Sequence, residues 1–129
     1  MNDLRSREDI ELLVNEFYSK VIDDPEIGYV FTERIQLDFE KHIPVMCDFW
    51  ETTLLGQMKY KGNPMLIHIE LNKKVSLKPE HFQRWLIHWE STLKANFLGT
   101  KATEALQRAK LIGELIKYKI KQTDNNSLL

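Results

Sequence analysis

Cysteine is nearly missing from this 129-residue chain, which has Cys47 alone. One thiol cannot form an internal disulfide and is not half of a CxxC pair, so a disulfide scaffold and a paired-cysteine metal motif are excluded. A reducing cytoplasm is the address this implies. No run of 18 or more apolar residues occurs, so no segment is expected to span a membrane. The opening MNDLRSREDIELL is charged and lacks an apolar core of signal-peptide length. Neither sign of charge dominates: 18 Lys and Arg stand against 19 Asp and Glu, for a formal net charge of −1. Without a basic patch, nucleic acid is not expected as a partner. Five scattered glycines do not build a phosphate loop. There is no internal repeat and no low-complexity tract, and KKVSL is the only β-leaning piece.

What remains is an ordinary globular composition, 43% hydrophobic and 29% charged, long enough for one domain with a real core. The expected domain spans 1–129, with 1–5 and 122–129 frayed. The periodicity is helical. Ile10, Leu13, Val14, Phe17, Tyr18 and Val21 share one helix face, behind Ser6 and Asp9, which form a near capping box. Asp23, Asp24 and Pro25 close that helix, and solvent is the expected partner of the two carboxylates. A second long helix is predicted over LDFEKHIPVMCDFWETTLLG, ending at Gly56. Pro44 must lie in its first regular turn or kink it. Pro79 suits the first turn of a third helix carrying Phe82, Trp85, Leu86, Trp89, Leu93 and Phe97. Gly99 stops it. A fourth runs from about Lys101 to Lys121, with Ala102, Ala105, Leu106, Ala109, Ile112 and Ile116 on one face. The fold class is therefore all-α.

The histidines are His42, His68, His81 and His88. No zinc signature joins them, and solvated helix faces account for His81 and His88. Cys47 is poorly placed for His42 to act as its base and reads as a buried, inert thiol. His68 is different, because it interrupts an apolar run straight after the turn residues Gly62, Asn63 and Pro64. A polar group there needs a partner. From the residues alone that partner is either a backbone carbonyl or a metal. An apolar pocket with a few converging polar groups, walled by Phe17, Tyr18 and Trp85, would suit a flat cofactor whose iron takes one axial nitrogen.

Taken together, NEFYSKVIDDPEIGYVF, EKHIPVMCDFW, YKGNPMLIH, HFQRWLIHWESTL and QRAKLI resemble the truncated haemoglobins, short globins with a two-over-two helical sandwich. The likeness runs from about Asp9 to Ile116 and is to the third of their three groups. The paired-glycine turns of the other two groups are missing. The resemblance implies haem b as cofactor and His68 as the proximal ligand of its iron. It implies Tyr18 and Trp85 as distal hydrogen-bond donors and His42 as the distal-helix histidine. Phe31 would wedge against the haem face, and Met46, Phe49 and Trp50 would line the distal helix. Leu66, Phe82 and Ile112 are further candidates for pocket walls, and Lys73, Lys74 and Arg84 for propionate partners.

Function follows from the same resemblance. A monomer binding O2 or another diatomic ligand such as CO or NO is expected, in the cytoplasm. Two donors would slow oxygen release, each worth on the order of 1–2 kcal/mol. The alternative is a haem enzyme for nitric oxide detoxification or peroxide chemistry, which would need a reductase as partner.

Overall fold

α1 (Arg7–Asp23) begins where the sequence places a cap: the Ser6 hydroxyl accepts from the Asp9 N–H. Asp9 reaches back one residue further than a capping box requires, to the Arg5 N–H at 2.9 Å. The structure, a computed structural model, describes residues 1–63, 67, 68, 72 and 77–127, with side chains as far as 122. Leu66, Lys73, Lys74 and most of KKVSL lie outside the described residues. Among those described there is no strand.

All six residues of the predicted α1 stripe are buried. The chain leaves the helix at Asp24 in extended conformation, as a residue before proline must. A wide π-type turn, Val30–Arg34, follows, and then α2 (Phe39–Leu55). Gly56 ends α2 at φ 73°, the left-handed conformation that favours glycine. Pro44 lies in the second turn of α2, not the first, and the helix runs on through it. Its missing N–H is the one that would serve the Glu40 carbonyl. Both residues are exposed, so the loss falls on the solvent side.

α3 (Pro79–Asn96) has Pro79 at its first position, and the Lys78 N–H donates to His81 Nδ1 at 3.1 Å. His81 is thus a capping residue. α4 (Thr100–Ser127) is capped from a distance. Asp3 accepts from the Lys101 and Ala102 N–H groups at 2.9 and 2.8 Å. Leu4 beside it is buried. Asp3 and Leu4 are thereby tied down, one by a helix end and the other by the core. At the far end α4 continues past residue 122.

α1 packs on both α2 and α3, α3 packs on α4, and α2 reaches α4. The result is one helix pair laid over another. Three tryptophans tie the layers together. Trp50 of α2 stacks on Trp89 of α3 with ring centres 4.6 Å apart, and Trp89 lies parallel to Trp85 at 6.2 Å. Trp89 donates its indole N–H to the Ala105 carbonyl of α4 at 3.2 Å. Burying rings of this size is the main favourable term in such a core.

Candidate functional site

The buried face of α1 puts Tyr18 inside the sandwich, and α2 brings His42 to it. The Tyr18 hydroxyl lies 2.7 Å from His42 Nε2. Around the phenol ring stand His42, Phe39 and Phe31, edge-on at 5.3, 5.7 and 6.2 Å between centres. Burial drives the Tyr18 phenol far above its ordinary range, so it keeps its proton. The same effect, burial first, pushes the His42 imidazole down, and repulsion from His68 pushes it further. His42 and His68 are thus electrostatic neighbours. A neutral His42 and a protonated Tyr18 form a hydrogen-bonded pair without net charge, suited to a dry, largely apolar space.

Trp85 reaches the same region from α3. It meets Phe17 edge-on at 5.8 Å, and Phe17 meets Tyr18 at 5.0 Å. Among the described residues, the Trp85 indole N–H makes no hydrogen bond, in contrast to that of Trp89. Beside Trp85 a half-open pocket of about 320 Å³ lies between α3 and α4, lined by Phe82, Leu86, Ala109 and Gly113 and also by Gln83, Lys110, Glu114 and Lys117. Gly113 is buried, yet a Cβ added to it would meet nothing within 4 Å. Space therefore stands over that helix face.

The remaining expected residues fall in different places. Phe31, on the π-type turn, and Met46 are half-buried against the core. Phe49 packs edge-on against Trp50 and Tyr60, each at 5.2 Å. Trp50 is not gathered with Tyr18 and His42; it is buried on Trp89. Phe82 lines the cavity, and Ile112 is half-buried against the core. Arg84 is not open to a propionate, since Asp24 and Glu26 hold its guanidinium at 2.9 and 3.4 Å.

Three residues were not foreseen. Phe39 adds a wall to the Tyr18 pocket. The Tyr60 hydroxyl is buried with no partner among the described residues. Asp24, expected in solvent, is buried against α3. Phe39 and Tyr60 carry no signal that separates a pocket wall from ordinary core, and the partners of Asp24 are remote in sequence.

The residues fit a haem. The half-buried His68 imidazole, the Tyr18 and Trp85 donors and the apolar rings of Phe31 and Phe39 suit a flat macrocycle. Among the described residues no three His, Cys, Asp or Glu side chains converge, so a metal caged by side chains has no seat there. No described helix is long and apolar enough to cross a membrane.

Comparison with known proteins agrees. The family model of the bacterial-like globins matches residues 3–116. The sequence is 30% identical over 110 residues to the group 3 truncated hemoglobin ctb of Campylobacter jejuni, covering 83% of this chain and 84% of that protein. The crystal structure of a group III truncated hemoglobin from Campylobacter jejuni superposes with a TM-score of 0.82 at 27% identity, covering 93% of this chain and 95% of that one. The chain belongs to the bacterial-like globins and, within them, to the third group of truncated haemoglobins.

Proposed function

We propose that this haem-binding globin carries haem b on His68 and binds O2 and other diatomic ligands, CO and NO, between Tyr18 and Trp85. Haem bound here supplies an iron that takes one protein nitrogen and leaves a position for a gas molecule. Every other contribution comes from the chain. His68 offers the nitrogen. Tyr18, held protonated by burial, offers an O–H to a ligand carrying partial negative charge, and Trp85 offers an N–H. His42 orients the Tyr18 hydroxyl from the other side. Phe31, Phe39, Met46 and Phe49 keep water away. Trp50 supports them from the core through Trp89. A lone, buried Cys47 suits a reducing cytoplasm, where we place the protein.

The observation that carries this reading is the grouping of Tyr18 and His42 at 2.7 Å with His68 close enough to depress the His42 imidazole. The test is optical. Haemin added to the purified chain is expected to give a sharp Soret band, a ferrous form and a stable CO form. His68→Ala is expected to lose haem retention. A variant that keeps the wild-type Soret position and retention would overturn the assignment of His68.

A further inference from the structure

An ionic cluster around one buried carboxylate lies where the end of α1 meets α3, and gas binding as described makes no use of it. The Asp24 side chain is fully shielded from solvent. One of its oxygens, Oδ2, accepts from Arg84 Nε at 3.0 Å, Arg84 Nη2 at 2.9 Å and His88 Nε2 at 2.5 Å. The other, Oδ1, accepts from the Glu26 N–H at 2.7 Å. Burial works against the charge on Asp24, but these donors, His88 first, hold its carboxyl below the ordinary range.

We propose that Asp24, Arg84 and His88 are positioning residues that fix the helix bearing Tyr18 against the helix bearing Trp85. The inference rests on the reading of those two rings as ligand donors. Arg84 and His88 are one turn apart on α3, and Trp85 directly follows Arg84. Asp24 directly follows α1. Its carbonyl accepts from the Gly28 N–H at 2.8 Å, which starts the turn leading to Phe31. Gly28 is pressed so close to α1 that an added Cβ would fall 2.3 Å from the Ile22 carbonyl oxygen. One carboxylate therefore joins the end of α1, the approach to Phe31 and the segment of α3 that carries Trp85.

The chemistry favours registry over simple adhesion. Apolar contacts between helices tolerate sliding, whereas charge-assisted hydrogen bonds demand particular distances and directions. A buried ion pair adds little net stability compared with a well-packed apolar pair, but it penalises every arrangement that leaves a charge unpaired. Asparagine cannot substitute. In either orientation its amide N–H2 would face a donor: Arg84 and His88 on one side, the Glu26 N–H on the other.

The test compares the C–O stretching band of the carbon monoxide form, which senses the distal donors, with stability in urea. Tyr18→Phe and Trp85→Phe calibrate the band. Asp24→Asn and Arg84→Met perturb the cluster, and Ile120→Ala, at a buried site near the end of α4, supplies a stability loss elsewhere. The expected result is a band shifted or split by Asp24→Asn and Arg84→Met, in the direction set by the calibrating variants, and unmoved by Ile120→Ala. A wild-type band in both cluster variants, or an equal shift in Ile120→Ala, overturns the positioning role and leaves the donor reading standing. A band that neither Tyr18→Phe nor Trp85→Phe moves overturns both. If Asp24→Asn does not fold, Arg84→Met decides by the same criteria.

Discussion

Tyr18→Phe removes one oxygen and leaves the ring in place. Tyr18 is 6% exposed, and its hydroxyl lies 2.7 Å from His42 Nε2, so the change falls on a made hydrogen bond. Two losses follow. Within the protein, a neutral pair of this kind contributes about 0.5–1.5 kcal/mol net. The low end applies, because half-buried His42 can turn its ring toward water. The edge contacts with Phe17, Phe31 and Phe39 survive, so no cavity opens. Toward the ligand, a donor facing partial negative charge contributes about 1–2 kcal/mol. At 1.4 kcal/mol per decade, oxygen release should quicken roughly 5- to 30-fold. Stopped-flow displacement of oxygen by carbon monoxide reads that rate, and a urea titration reads the smaller stability loss. Oxygen release within about twofold of wild type, with haem retained, would refute Tyr18 as a donor. The ligand would then be held by Trp85 or not by hydrogen bonds at all.

Other outcomes are equally definite. Asp3→Ala strips the cap from α4 and should lower stability by about 1–2 kcal/mol, seen as a lower urea midpoint with an unchanged slope. Burial opposes the Asp3 charge, but the N–H groups of Lys101, Ala102 and Leu4 hold its carboxyl below the ordinary range. Its contribution is therefore whole at neutral pH, shrinks below the ordinary carboxylate range and vanishes below the lower value in the fold, so the gap between wild type and Asp3→Ala should close in acid. Cys47 is 1% exposed. Its thiol is pushed up to about 11, by burial first and by Glu11, Asp48 and Glu51 against the opposing Arg7. A thiol reagent near neutral pH should label it only after urea unfolding; rapid labelling of the native protein would contradict the buried placement. Gly113→Ala adds a methyl group to open space in a helix and should stabilise the apoprotein by about 0.5–1 kcal/mol, raising its thermal midpoint.

Local chemistry was legible in the sequence, and remote pairing was not. The α1 stripe, the Gly56 stop and the Pro79 start are each written in residues within a turn of one another, where period and backbone preference act directly. Pro44 was harder, since a proline beyond the first turn costs one helical hydrogen bond, and the sequence does not show whether the carbonyl left over faces water. Asp24 was misread because the donors that hold it lie 60 and 64 residues away, beyond any local pattern. Trp50 shows the opposite difficulty. Its position on α2 suits a pocket wall and a core ring equally, and the stack on Trp89 settles its place. The grouping of Tyr18 with His42 could be anticipated from the globin likeness; periodicity alone left Tyr18 as an ordinary core aromatic.

The Asp3 cap sets an order of assembly. Asp3 is made before α1, α2 and α3, but its partners on α4 are 98 and 99 residues further along. The Leu98 N–H likewise closes on the Asn2 carbonyl at 3.1 Å. No nascent chain can fasten this joint until residue 102 has left the exit tunnel, so α1, α2 and α3 must all be present before the two ends of the sandwich are drawn shut. Closing so wide a loop is entropically expensive. During synthesis this seam is therefore closed only after the first three helices have been made.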